Sequence, residues 1–312
     1  MLTVLLIVLP IFALIGAGWG ARRSAVMGPQ AASELNRFVV TLALPALLFD
    51  IVAKARWTDI WQPGFIAAFG IGTIGIFLAT LAVRLRTGRP LADASVDGLN
   101  AAYANTAFIG FPLAATTLGA AAMAPTLIAS LFTVCVLFAL AIILIETGLQ
   151  SERHPGRLAA KVALSLAKNP LLIAPVLGGA FLAGGIAVPA PLDKFMTLLG
   201  GAASPCALVG LGLFLGERRA GGERAGGAVA MLVALKLVAQ PLLTWLLATW
   251  IFDLPAPLTH AAVLLAALPT GTGPFMVAEF YGREAGVTSR VLLISTILSL
   301  ATVTLYLAMA VR

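Results

Sequence analysis

"ALPTGTGPFMVAEFYG", residues Ala267 to Gly282, lies within an apolar run long enough to cross a membrane. Two prolines and two glycines fall between Pro269 and Pro274. In a helix interior each proline costs about 3 kcal/mol relative to alanine, and each glycine about 1 kcal/mol. In hydrocarbon the freed backbone groups also lose water as a partner. A membrane segment broken at its own midpoint predicts non-helical backbone that is buried in protein or lines a cavity.

The rest of the chain supports a membrane setting. Of its 312 residues, 60% are hydrophobic and 11% charged, with a mean hydropathy of +1.02. Soluble domains are about 45–50% apolar and about 25% charged. The class is therefore an all-α, polytopic membrane protein. The net charge of +7 is spread between apolar segments, which fits positive-inside loops and excludes nucleic acid as a partner. Cys135 and Cys206 sit in apolar runs without disulfide or metal spacing, so no metal and no cofactor is expected. Arg22 and Arg23 follow the first apolar run instead of preceding it. That run reads as a first transmembrane helix with its N-terminus outside, not as a signal peptide.

A span needs about 20 apolar residues. Ten are read along the chain, at roughly 2–20, 36–53, 63–84, 94–119, 122–146, 169–187, 194–216, 227–252, 257–281 and 287–311. Residues 157–168 alternate basic and apolar positions at helical spacing, which predicts an interfacial helix on the cytoplasmic leaflet. With the N-terminus outside, fifteen basic residues lie at cytoplasmic ends, among them Arg84, Arg89, Arg153, Arg218, Arg219 and Arg224. Only Lys54, Arg56, Lys194 and Arg312 lie on the other side. The bias places the chain in the inner (cytoplasmic) membrane with both termini outside the cytoplasm.

Prolines then reveal a repeat. Pro10 and Pro170 lie 160 residues apart, Pro45 and Pro205 also 160, and Pro112 and Pro274 162. "GFP" ending at Pro112 is echoed by "TGP" ending at Pro274, followed by Gly119 and Gly282 respectively. Residues 1–147 form a first five-helix unit, 148–168 a linker, and 169–312 a second unit. Five is odd, so the second unit enters from the opposite side, giving a 5+5 inverted repeat of the kind found in secondary transporters. Spans four and nine correspond, and both are broken. Paired discontinuous helices point to a substrate site at their crossing.

Each break supplies helix-end amides. Pro112 and Pro274 suit the first turn of a new half-helix, where a missing N–H costs nothing. The remaining amides and the dipole favour an anion, a carboxylate above all. The expected substrate-binding residues are Asn105, Thr106, Gly110, Pro112, Pro269, Thr270, Gly271, Thr272, Gly273 and Pro274.

At these residues the chain resembles a known family. "LNRFVVTLALPALLF", "NTAFIGFPL", "AKNPLLIAPVLG" and "ALPTGTGPFMVAEFYG" are similar to the auxin efflux carriers, which include plant carriers and many bacterial transporters. The resemblance implies a fold like that of bile-acid sodium symporters. In that fold broken helices four and nine cross in a mobile domain of helices 3–5 and 8–10. Helices 1, 2, 6 and 7 form the scaffold, through which members often pair as homodimers. The plant carriers have glutamine where this chain has Thr270, and a long central loop that this chain lacks. Bacterial relatives are often associated with malate or malonate.

Charges inside spans are functional candidates. Asp50, Lys236 and Glu279 are the coupling candidates. Each has a plainer reading: Asp50 pairing with Lys54 or Arg56, Glu279 pairing with Arg283, and Lys236 donating to carbonyls freed by a broken helix. His154 lies in the cytoplasmic loop and His260 near the outer surface. No acid falls within either break, which favours proton or potential coupling over a sodium-coupled bile-acid-type symporter. A membrane-embedded enzyme would need a cluster of acids, histidines or cysteines at one depth, and the sequence offers none. The expected function is alternating-access transport of small organic anions, with the lipid bilayer as the surrounding medium.

Overall fold

The apolar runs fold as helices in a computed structural model that describes residues 2–151, 155–217 and 226–310. Besides a single turn at Trp57–Ile60, thirteen helices follow in order. They are α1 (Leu2–Arg23), α2 (Ala31–Ala53), α3 (Pro63–Arg86), α4 (Leu91–Ala102), α5 (Thr106–Thr117), α6 (Ala120–Leu149) and α7 (Pro155–Lys168). After these come α8 (Pro170–Gly184), α9 (Ala190–Gly216), α10 (Gly226–Ile251), α11 (Ala256–Ala266), α12 (Gly273–Phe280) and α13 (Ala285–Ala310). No β-strand is present among the described residues; the one extended pairing is a bridge between Ala104 and Thr270.

Among the described residues six helices, α2, α3, α6, α9, α10 and α13, are long and apolar enough to cross a bilayer. The pair α7–α8, bent by 70°, makes a seventh candidate. Each expected span falls on one helix or, for the fourth and ninth, on two: α4 with α5, and α11 with α12. The amphipathic linker helix is α7. Arg153, His154, Arg218, Arg219, Arg224 and Arg312 lie outside the described residues.

Prolines shape these rods without always ending them. Proline lacks an N–H, and its ring presses on the carbonyl four residues back. Wider i→i−5 turns occupy Val39–Ala43 before Pro45, Thr106–Gly110 before Pro112 and Leu235–Ala239 before Pro241. In them Leu44, Phe111 and Gln240 donate to the carbonyls of Val39, Thr106 and Leu235. The extra residue makes room for the ring, and the helix continues.

This corrects the expected role of Pro112. Its half-helix begins at Thr106, and the wide turn carries it through the proline. Pro274 does sit in the first turn of α12. The pairing of Pro10 with Pro170 also fails, because Pro10 lies inside α1 while Pro170 opens α8. Pro45 and Pro205 do occupy the middle of α2 and α9. Gly119 and Gly282 both have φ in the left-handed region, +76° and +61°, and turn the chain after α5 and α12. An L-residue is strained there, which explains the glycine after each break.

The helices pack as two groups. In the first, α1 lies along α9, and α2 packs on both α8 and α9. Glycines permit this approach: a Cβ on Gly18 would meet the Val209 backbone, and one on Gly212 the Ile15 backbone. On Gly200 it would stand 2.9 Å from Leu47 Cα. Small residues let membrane helices gain close van der Waals contact where lipid offers no hydrophobic driving force. In the second group, α3 packs on α4 and α10, α4 on α6, α11 on α6, and α13 on α10 and α12. Between the groups α12 meets α2, where buried Asn36 donates Nδ2 to the Met276 carbonyl at 3.2 Å.

Candidate functional site

The two breaks meet in the second group. Asn105 N–H donates to the Pro269 carbonyl at 2.9 Å, and Gly271 N–H to the Tyr103 carbonyl at 3.1 Å. These two bonds form the bridge noted above. They satisfy backbone that neither helix can satisfy for itself, as an apolar interior requires.

Four helix ends converge here, and their carbonyl and amide ends are treated differently. The last turns of α4 and α11 leave carbonyls whose i+4 partners lie beyond the break. Lys236 Nζ, fully buried on α10, donates to the Ala266 carbonyl at 2.7 Å. One turn on, buried Gln240 donates Nε2 to the Ala102 carbonyl at 3.0 Å and to Thr73 Oγ1 at 3.2 Å. One face of α10 therefore closes the negative ends of both half-helices. Of the two readings of Lys236, the contact is the structural one: donation to a freed carbonyl.

The amide ends are more open. Asn105 caps α5 by accepting from Phe108 N–H at 3.3 Å, while its Nδ2 has no partner among the described residues. At α12 the cap residue Thr272 makes no side-chain bond, and Pro274 has no N–H. The amides of Thr272, Gly273 and Phe275 are unbonded among the described residues. Helix dipoles place positive partial charge at these ends. With the opposing carbonyls capped, the positive partial charge of the open amide ends is what the junction presents.

A cavity of about 20 Å³ lies at this junction, lined by residues 103–108 with Val134, Gly271 and Thr272. That is room for about one water molecule, against roughly 300 Å³ at the small end of ligand pockets. Asn105, Thr106, Gly271 and Thr272 of the expected site line it. Thr106 Oγ1 is buried with no hydrogen-bond partner among the described residues.

The remaining expected residues sit behind the cavity. Thr270 is fully buried; its hydroxyl donates to the Asn100 carbonyl at 2.8 Å, and its N–H to Ser295 Oγ at 3.1 Å. Asn100 in turn donates to Thr288 Oγ1 at 3.0 Å, so α13 braces the ninth-segment break. Pro269 supplies a bridge carbonyl. Gly110 lets α5 approach α11, since a Cβ there would be 3.2 Å from Leu265 and Leu268. Gly273 and Pro274 open α12, and Pro112 lies one turn into α5.

The coupling candidates are dispersed. Asp50 forms an i,i+4 ion pair with Lys54 at 2.7 Å, and Lys54 also reaches Asp193 at 2.7 Å. These carboxylates raise the Lys54 pKa by hydrogen bonding, Asp193 first and Asp50 second. Glu279 lines a polar pocket of about 260 Å³ with Ser33, Glu34, Asn36, Arg37 and Phe280, between α2 and α12. Arg283 reaches Asp93 at 3.7 Å and donates to the Tyr281 carbonyl. His260 contacts the Tyr306 hydroxyl at 3.1 Å. Two further cavities, about 460 and 580 Å³, are apolar grooves lined by none of the break residues.

Two residues escape the sequence reading. Tyr103 lies in the fourth-segment break, and its ring covers Gly271 and Gly273. Asp97, 3% exposed on α4, accepts a hydrogen bond from Arg84 Nε at 2.7 Å and lies within ion-pair distance of Arg89 Nε at 3.4 Å. Arg89 continues to Glu284 at 2.7 Å, linking the chain before α4 to the chain before α13. A charge inside an apolar span was the available signal for Asp97; Tyr103 gave none beyond its place beside Asn105. No cluster of metal-binding side chains occurs among the described residues.

Comparison with known proteins agrees with a transport role. The chain matches the membrane transport protein family over residues 3–307. It is 32% identical over 300 residues to a Rhizobium meliloti (strain 1021) protein described as a "Putative malonate transporter", covering 96% of this chain and 93% of that one. It is 28% identical over 216 residues to an "Uncharacterized transporter" of Methanothermobacter thermautotrophicus, covering 68% of each chain.

Proposed function

The chain belongs to the membrane transport protein family, that of the auxin efflux carriers, and from this we propose that it carries a small carboxylate by alternating access. Its relatives are transporters, not enzymes. One observation carries the choice of an anion: at the junction the carbonyl ends are capped by Lys236 and Gln240 while the amide ends of α12 stay open. A carboxylate offers two acceptor oxygens to such an open end.

The proposed architecture is ten spans in a 5+5 inverted repeat, residues 1–147 and 169–312 around a linker at 148–168. Both termini lie outside the cytoplasm in the inner membrane. The group containing the breaks is the moving body. The group of α1, α2, α8 and α9 is the scaffold and the homodimer surface. The junction has room for about one water, so this conformation is occluded and substrate entry requires Tyr103 or Phe108 to move. No carboxylate side chain lines the cavity, which weighs against a sodium ion there; proton or membrane-potential coupling is the proposal that remains. The name of the Rhizobium relative makes malonate the first ligand to try.

The test is thermal stability of the purified protein with malonate and other mono- and dicarboxylates. A ligand at a hundred times its Kd stabilises by about 2.7 kcal/mol. Asn105→Ala is expected to lower affinity roughly five- to a hundredfold, since a polar contact to a charged ligand is worth about 1–3 kcal/mol. Stabilisation by no carboxylate, or equal stabilisation in Asn105→Ala, refutes the reading.

A further inference from the structure

We propose that Tyr103 is the specificity-determining wall of the site: its ring sets how long a carboxylate the junction accepts. This rests on the carboxylate reading above. A Cβ on Gly273 would stand 2.7 Å from Tyr103 Cζ, 2.9 Å from its hydroxyl oxygen and 3.0 Å from Cε2. A Cβ on Gly271 would stand 2.8 Å from Cε1 and 3.0 Å from Cδ1. The ring therefore lies flat along the backbone that leads into α12, beside its open amides. It also packs against Phe138, with ring centroids 5.7 Å apart.

Two consequences follow from this seating. The phenol ring, and not the helix backbone, fills the space in which a ligand on those amides would extend, and this leaves the cavity at about 20 Å³. The two glycines are required by the ring. At Gly273 the three nearest atoms to an added Cβ all belong to Tyr103, and its φ is outside the left-handed region. Alanine at that position is thus obstructed by one side chain, and trimming that side chain removes the obstruction. A tyrosine at the wall suits a short substrate, because each further methylene must displace ring atoms. Discrimination of about tenfold or more per methylene is ordinary for a fitted pocket.

The experiment compares thermal stabilisation by malonate, succinate and glutarate in the full-length protein and its variants. Tyr103→Leu keeps an apolar contact for Phe138 while shortening the wall. It is expected to shift the preferred ligand by one or two methylenes, changing the glutarate-to-malonate affinity ratio tenfold or more. Tyr103→Phe keeps the ring and with it the wild-type length ranking, whatever loss of the hydroxyl does to absolute affinity. Gly273→Ala is expected to weaken binding at least tenfold, and Gly273→Ala with Tyr103→Leu to recover most of it. An unchanged ranking in Tyr103→Leu together with no recovery in the double variant overturns the wall and leaves the carboxylate reading standing. Wild-type protein that binds none of the three, nor any other carboxylate, overturns both.

Discussion

Replacing Lys236 by methionine separates the two roles a buried lysine has in a carrier. Lys236 is fully buried, and its Nζ lies 2.7 Å from the Ala266 carbonyl at the end of α11. The i+4 amide that would normally serve this carbonyl, that of Thr270, is turned to Ser295. Methionine matches the length of the lysine stem and donates nothing. The carbonyl is then left unpaired in an apolar interior, at a cost of about 1–3 kcal/mol. Removing a buried polar amine also removes its own desolvation penalty, so the net loss lies at the lower end, about 1–2 kcal/mol. Domains of 150–250 residues shift by roughly 2–4 °C per kcal/mol, which gives an expected fall in Tm of roughly 2–8 °C in detergent. Stabilisation by a bound carboxylate, measured from the variant's own baseline, is expected to persist. Gln240→Leu, which frees the Ala102 carbonyl, is expected to behave alike. An unchanged Tm with the carboxylate response abolished would show that Lys236 serves the anion directly, and the helix-end role would be wrong.

Two further outcomes are expected. Asp97→Asn removes the carboxylate between Arg84 and Arg89; breaking a buried pair costs about 3–5 kcal/mol, and the partial exposure of both arginines sets the expectation at about 3 kcal/mol. Thermal unfolding should fall by roughly 6 °C or more, and a Tm equal to wild type would show the network to be solvated. For sidedness, cysteines are placed at the exposed positions Ser151 and Ala121 after Cys135 and Cys206 are changed to alanine. The first should label with a membrane-impermeant maleimide only in permeabilised cells and the second in intact cells; the reverse pattern inverts the topology.

The sequence was most readable where a residue type has only one physical use. Pro-Thr-Gly-Thr-Gly-Pro cannot lie inside an unbroken helix, and the break over 267–272 follows. Glycine after each second half-helix marks a left-handed turn, and both turns are present. Lys236, too deep to reach water, had to find a carbonyl or an anion. The less readable features were pairings between distant segments. Tyr103 touches Gly271 and Gly273 across the whole interval between the two breaks, and an aromatic residue in an apolar run carries no mark of that contact. Asp97 stood out as a charge, but Arg84 and Arg89 were already explained as loop cations, so nothing connected them to it. Pro112 misled for a different reason. A proline reads alike whether it starts a helix or is carried by a wide turn, and only the hydrogen bonds of Thr106–Gly110 tell which.

That last difference bears on how the site is built. If both breaks ended at their prolines, the two half-helices would offer equivalent ends to the substrate. Instead α5 begins at Asn105's cap, and its first turn is closed by the Asn105 side chain and by two backbone bonds to the Asn105 carbonyl. At α12 the proline falls in the first turn, Thr272 caps nothing, and the amides on either side of Pro274 remain free among the described residues. The positive end available to an anion is therefore mainly that of the ninth segment. The fourth segment contributes side chains, Asn105 and Thr106, and the ring of Tyr103. In the proposed inverted repeat, two opposed helix ends meet at one depth. On the proposed function, the one-turn difference in where each proline falls would give them unequal tasks, one to hold charge and the other to shape the space around it.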